Sequence, residues 1–210
     1  MSDYALPLRS VVIAGKSSSG KTTFAFRYLE KTPALCRFIF DDQGQASARL
    51  KVPLASSRAE LERALSMRWV LFNPHVMFPG DLHGAFKFFC QWTFAACKRG
   101  PGRKQVFLDE VWRMVSPTSI PSEFAVLIQM GRVEGIEVIT ATQRPHKLNE
   151  AILGQAVELV CFRNEHRLAL KAIADLDIDD PELKKIKNLP LGSFRSYNLQ
   201  TGKIVSGKIF

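Results

Sequence analysis

Residues 11–26 read VVIAGKSSSGKTTFAF: an apolar run of four stops at a segment holding two glycines, three serines and two lysines, and an amphipathic pattern resumes beyond it. Within this stretch GKSSSGKT, Gly15 to Thr22, fits GxxxxGK[ST], with a strand-like run before it and a helical pattern after it, the context such a loop requires. Glycine lets the backbone wrap closely around an anion, and amides at the start of the following helix point at the same anion. The expected phosphate contacts are Gly15, Ser17, Ser18, Ser19, Gly20, Lys21, Thr22 and Thr23. Lys21 is placed to reach the β- and γ-phosphates of ATP, and the Thr22 hydroxyl to ligate Mg²⁺. A Gly/Ser-rich turn that binds nothing would leave the Lys-Thr pair unexplained.

Short apolar or β-branched runs bounded by turn residues predict buried strands at 10–15, 37–42, 69–74, 105–110, 137–143 and 158–163. Helical patterns lie between most of them, at about 21–31, 57–66, 81–98, 122–131, 147–154 and 165–175. This alternation predicts an α/β fold with a mostly parallel sheet covered on both faces, in which ligands gather at the carboxyl ends of the strands. Polar residues do collect at the predicted strand ends: the Gly15–Thr22 segment, Asp41 and Asp42, Asn73, Asp109 and Glu110, Thr142 and Gln143. Buried without partners they would be costly, so a shared polar site is expected there. The tail, GSFRSYNLQTGKIVSGKIF, alternates around Gln200-Thr201-Gly202 and predicts a closing β-hairpin. Length permits a single domain over 1–210, and no repeat or long linker interrupts it.

VFLDE, 106–110, supplies a carboxylate pair on a strand expected to neighbour the one before the glycine loop. Asp109 is the expected acid of the Mg²⁺ shell, and Glu110 the group that polarises an attacking water. Gln143, in ATQRP, is placed to sense the γ-phosphate or hold that water. Arg132, near the end of a helical pattern, suits either a surface cap or an arginine finger reaching a neighbouring subunit's γ-phosphate.

Lys and Arg number 29 against 20 Asp and Glu, a net charge of +9, which favours polyanionic partners without identifying one. Basic residues cluster in KRGPGRK, where Lys98, Arg99, Arg103 and Lys104 suit either DNA phosphates or a solvated turn. The longest apolar neighbourhood, 82–97, is broken by His83, Lys87 and Gln91 and is too polar to span a bilayer. Its aromatics, Phe86, Phe88, Phe89, Trp92 and Phe94, cover so much of a helix that burial is expected rather than base stacking. The N-terminus MSDYALPLRS carries no secretory pattern. Cys36, Cys90, Cys97 and Cys161 show no CxxC spacing and read as buried thiols, and the four histidines have no metal-cage spacing.

Taken together, GKSSSGKT (15–22), FIFDDQG (38–44), VFLDE (106–110) and GRVEGIEVITATQRP (131–145) resemble the FtsK-HerA branch of P-loop ATPases, over roughly residues 10–165. The resemblance implies a RecA-like (ASCE) P-loop NTPase core that hydrolyses ATP with Mg²⁺ at subunit interfaces of a hexameric ring and moves DNA through it. By position, Lys21 and Thr22 match the phosphate and Mg²⁺ residues, Asp109 the Walker B acid, Glu110 the catalytic base, Gln143 the sensor and Arg132 the trans finger. The chain carries little beyond that core, which is similar to the genome-packaging ATPases of membrane-containing icosahedral phages and archaeal viruses. That similarity implies sequence-independent contact with double-stranded DNA, a capsid vertex or membrane protein as partner, and a place in the host cytoplasm or at the virion vertex. A filamentous-phage assembly ATPase would be expected to bring a membrane span. Arg113, after the acid pair, is favoured over residues 98–104 as the DNA contact, because that loop precedes its strand. A nucleotide switch that binds a protein partner and a scaffold with negligible turnover are the competing readings; the absence of an N-K-x-D motif argues against GTP.

Overall fold

The computed structural model describes residues 10–209; the first nine residues, on which the reading of the N-terminus rests, and Phe210 lie outside it. In chain order the elements are β1 (Val11–Ala14), α1 (Lys21–Lys31), β2 (Cys36–Phe40), α2 (Gln45–Leu50), β3 (Leu54–Ala55), α3 (Arg58–Ser66), β4 (Trp69–Phe72), α4 (Pro74–Met77), α5 (Leu82–Cys97) and β5 (Lys104–Asp109). They continue with α6 (Ser122–Met130), β6 (Ile136–Thr142), α7 (Glu150–Leu153), β7 (Glu158–Phe162), α8 (Arg167–Ala174), α9 (Asp180–Lys187), β8 (Ser193–Asn198) and β9 (Ile204–Lys208). Single 3₁₀ turns occupy Val111–Arg113 and Pro145–Lys147.

The strands form one sheet in the order β3-β4-β2-β5-β6-β1-β7-β8-β9, parallel except for the pairs β7–β8 and β8–β9. The α/β reading, the mostly parallel sheet and the C-terminal hairpin are therefore as expected. One expectation is corrected: the strand ending in Asp109 does not adjoin the strand before the glycine loop, because β6 pairs with both and lies between them. Strand adjacency is a long-range property that no local pattern encodes.

Each parallel strand is apolar on both faces because helices cover both. Val12, Phe38, Phe40, Val106, Leu108, Val138 and Leu159 face one core, and Val11, Ile13, Ile39, Phe107, Ile139 and Val160 the other. The larger core receives α5: Phe86 and Phe89 are fully buried, their rings 5.6 and 5.4 Å from Phe40, and Phe86 lies 5.1 Å from Phe124 of α6. Phe88, Trp92 and Phe94 pack half-buried at its rim. The second core is filled by Ala25, Phe26 and Leu29 of α1. All four cysteines are free and buried, and burial pushes the thiols of Cys36 and Cys97 up to about 11 and about 12.

Several elements differ from the expected ones. The helix expected at 147–154 is only the 3₁₀ turn and the single turn α7, and β3, α2, α4 and α9 are additional. Asp41, Asp42 and Asn73 lie beyond the strands they were expected to end. Asp41 accepts from the Ala46 and Ser47 amides (3.2 and 3.0 Å) and Asn73 Oδ1 from the His75 amide (3.1 Å), so both satisfy the starts of short helices. The signal for α9 was present in Asp179-Asp180-Pro181-Glu182: Asp179 caps it by accepting from the Glu182 amide at 2.9 Å, with Pro181 in the first turn.

Truncating Phe89 to Ala should cost about 3–5 kcal/mol, the ordinary loss for a buried phenylalanine. Thermal unfolding should fall by roughly 6–20 °C at about 2–4 °C per kcal/mol. A midpoint moving by only a degree or two would mean that α5 does not hold this core.

Candidate functional site

Three neighbouring strands end flush. Ala14 of β1 pairs with Thr142 of β6, and Asp109 of β5 pairs with Ala141. The loop after β1 starts pinned at this edge: the Gly15 amide donates to Thr142 O (3.2 Å) and the Lys16 amide to Arg163 O (2.9 Å). A Cβ on Gly15 would lie 2.6 Å from Phe162 Cβ and 2.8 Å from Ser19 Oγ, and Gly20, at φ +112°, would drive one into Ile209, so neither position admits another residue without distortion. Ser18 also sits at φ +57°. Ser17 and Ser18 are exposed, Thr23 is half-buried in the first turn of α1, and the Ser19 hydroxyl is buried with no hydrogen-bond partner among the described residues.

Lys21 is buried at the start of α1, and its Nζ donates to Lys16 O at 3.0 Å. Burial pushes this ammonium below its ordinary value, while the nearby charges of Glu110 and Asp109 act in the opposite sense. The Thr22 hydroxyl donates to Asp109 Oδ2 at 3.0 Å across 87 residues of sequence. Burial, and then the neighbouring Glu110, raises the Asp109 carboxyl, partly offset by Thr22 and Lys21. Alternation along β5 would send Glu110 to the opposite face, but its backbone turns left-handed (φ +47°, ψ +43°) and its carboxylate comes to rest at the end of β6. Its Oε2 accepts from the Gln143 amide at 3.1 Å and from Trp112 Nε1 at 2.6 Å. Glu110 is buried, whereas Gln143 is exposed, so its amide reaches Glu110 while its side chain faces solvent. Sequence reasoning missed Trp112; an indole two residues after the acid was visible, but nothing local indicated that its N–H would find Glu110.

The edge suits a polyphosphate and a hard cation. Its loop leaves no room for Cβ atoms at Gly15 and Gly20, and a buried hydroxyl and an ammonium stand beside a hydroxyl-carboxylate pair. One carboxylate, one hydroxyl and substrate phosphates are an ordinary Mg²⁺ donor set, and no cluster of three His, Cys, Asp or Glu that could hold a metal exists among the described residues.

The remaining expected residues, Arg113 excepted, do not gather here. Arg132 is exposed in the turn between α6 and β6, beside Ser10 at the opposite edge of the sheet, so it cannot reach its own chain's loop. The 98–104 segment lies at that same far edge, and three of its four cations have partners within the chain. Arg99 makes two bonds to Glu62, and Lys104 is buried and donates to the carbonyls of Gly100 and Glu134. Arg103 bonds to the fully buried Glu137 at 2.5 Å, alongside Tyr28 and Gln105. Lys98 is exposed and lies over the Phe94 ring. Arg113 is at the near edge, paired with Asp42.

No family model matches the sequence. Protein P9 of Pseudoalteromonas phage PM2 is 27% identical over 106 residues, covering 50% of this chain and 48% of that protein, so the match spans about half of that relative. The genome packaging NTPase B204 of Sulfolobus turreted icosahedral virus 2, in complex with AMPPCP, superposes with a TM-score of 0.74 over 97% of this chain and 98% of its own, at 20% identity. VirB4 of Thermoanaerobacter pseudethanolicus has a TM-score of 0.67 over 96% of this chain and 89% of its own, at 12% identity. These likenesses show a P-loop NTPase fold. No helix among the described residues is long and apolar enough to cross a membrane.

A carboxyl raised by burial favours its proton, so its cost to stability sets in as pH rises through the raised value and is in force at pH 7. Asp109→Asn without nucleotide should therefore melt above wild type at pH 7, by about 2–4 °C per kcal/mol relieved. The gap should close as pH falls toward about 4. Stabilisation by Mg²⁺-ATP should be lost in the variant. A variant less stable than wild type at pH 7 would show that ionised Asp109 is held favourably by its partners.

Proposed function

We propose that this chain is one ATPase domain of a DNA-translocating motor, a viral genome-packaging ATPase that hydrolyses ATP between subunits of a ring, with six as the expected number. The observation that carries the reading is the Thr22–Asp109 pair at 3.0 Å with Glu110 beside it, at the end of the strand next to the one that supports the glycine loop on its other side. A loop that only binds nucleotide has no use for a second buried carboxylate at that edge.

In this reading the amides of residues 15–23 and Lys21 hold the triphosphate, and Thr22 and Asp109 hold Mg²⁺, which neutralises charge on the phosphate oxygens. Glu110 accepts a proton from water as that water attacks the γ-phosphorus. The bond to the β,γ-bridging oxygen breaks, and ADP leaves with the electron pair. Gln143 orients the water or senses the γ-phosphate. Arg132, remote from its own loop, acts only from a neighbouring subunit, where it stabilises the charge developing on the transferred group. The +9 charge supports a polyanionic partner, here duplex DNA held by its phosphates. A place at a capsid vertex or in the host cytoplasm belongs to the same reading, B204 being named as the genome packaging NTPase of an icosahedral virus.

Steady-state ATP hydrolysis with and without duplex DNA, across protein concentrations, tests the reading. Specific activity should rise with concentration and with DNA. Glu110→Gln should lower kcat by about 10²–10⁴, as for loss of a general base. Arg132→Ala should be inactive alone, yet mixing it with Glu110→Gln should restore activity, since some interfaces then hold an intact Glu110 and an intact Arg132. ATP binding with negligible turnover in every condition would favour a scaffold, and mixing that rescues nothing although rings form would remove the trans role of Arg132.

A further inference from the structure

Arg144 directly follows Gln143, and its guanidinium lies over the Trp112 ring, 4.6 Å from the centroid; Lys147 Nζ lies over the same ring at 5.0 Å. Neither cation has a carboxylate partner among the described residues, unlike Arg113 with Asp42, or Lys16 and Arg163 with Glu165, at the same edge. Arg144 is exposed and Trp112 and Lys147 are half-buried, so the stack can be reached from solvent. The indole N–H of Trp112 points the other way, to Glu110 Oε2 at 2.6 Å, and the same oxygen accepts the Gln143 amide. The contacts close a ring: Glu110 to the Gln143 amide, along the chain to Arg144, from Arg144 onto Trp112, and from Trp112 back to Glu110.

We propose that Arg144 and Lys147, seated on the Trp112 ring, form the motor's contact with DNA phosphates, and that Trp112 is a positioning residue that fixes the Glu110 carboxylate through Oε2 until DNA draws the two cations off its ring. The proposal rests on the hydrolytic reading above. The cation–π contacts are weak enough to be exchanged for a phosphate, which offers a full charge where the ring offers a quadrupole. Glu110 is held left-handed, a conformation costly for a residue other than glycine, and two N–H donors fix its carboxylate through the single oxygen Oε2. Releasing the indole frees one of them. Two cations in one turn offer charge to phosphates and no donor-acceptor pattern for base edges, so the surface reads no sequence. It lies at the nucleotide edge, which places DNA engagement and hydrolysis within one hydrogen-bonded ring, whereas the basic 98–104 segment lies at the far end of the strands.

Two variants separate the parts. Trp112→Phe keeps a ring for the cations and removes the N–H. It should raise DNA-free turnover by about tenfold, the worth of one hydrogen bond to a charged acceptor. It should also abolish further stimulation by DNA, with little change in KM for ATP. Arg144→Gln/Lys147→Gln, on accessible side chains, should weaken binding of a fluorescein-labelled duplex by tenfold or more and lower the salt slope by about two, one per lost phosphate contact. Its turnover should no longer rise with DNA. The proposal is overturned if Trp112→Phe lowers DNA-free and DNA-stimulated turnover alike, the mark of a merely structural indole, or if the double variant binds duplex with wild-type affinity and slope. Absence of turnover in wild type would instead defeat the hydrolytic reading and with it the coupling, and the salt titration would still decide the surface.

Discussion

The hydrogen bond from the Thr22 hydroxyl to Asp109 Oδ2 is the constraint on which the site depends, because it joins the start of α1 to the end of β5 with a whole strand intervening. It can form only if β1, β6 and β5 end at one level, and the register of the two ladders ensures this. Those strands stay in register because each face of the sheet is filled, by α5 and α6 on one side and α1 on the other. A shift of one residue in β5 would turn Phe107 and Leu108 to the wrong cores and carry Asp109 away from Thr22 together. Packing and chemistry are thus fixed by the same alternation.

Charge is distributed between the two edges of the sheet in different ways. At the far edge Glu137, fully buried, accepts from Tyr28, Arg103 and Gln105, a network that uses a cation internally, although Arg103 Nε and Gln105 Oε1 within it have no partner among the described residues. A buried carboxylate needs such partners, and once they are supplied the group is structural. At the near edge Lys21 and Glu110 are buried and Asp109 is half-buried: burial lowers the lysine and raises the aspartate, and a serine hydroxyl has no partner among the described residues. What sets the near edge apart is an ammonium, a hydroxyl-carboxylate pair and a free hydroxyl gathered around the glycine loop, an arrangement suited to an anion and a cation together.

The glycine loop was legible because its chemistry is local: Gly15, Gly20, Lys21 and Thr22 act within eight residues of one another. The strands around it were legible because burial on both faces leaves continuous apolar runs, and the hairpin because alternation around Gly202 is a local signal. The position of β6 was not, since nothing in Ile136–Thr142 states which strands it will lie between. Asn73 misled for a different reason: a polar residue at a strand end serves a ligand or caps the next helix, and only the fold decides, whereas Asp41 caps α2 and also lines one cavity with Thr22 and Asp109. Arg103 and Lys104 looked like solvated cations because their partners, Glu137 and the Glu134 carbonyl, are more than thirty positions away or on the backbone. The left-handed turn at Glu110 leaves no mark in residue type at all.

The account stands or falls on whether the Gly15–Thr22 loop holds a nucleotide through Lys21 and a cation. Calorimetric titration of ATP into wild type and Lys21→Ala, each with Mg²⁺ and with EDTA, measures this most directly. Wild type should show one saturable site that tightens with Mg²⁺, and Lys21→Ala should lose it. Equal binding by the two proteins, or wild-type binding indifferent to Mg²⁺, would contradict it.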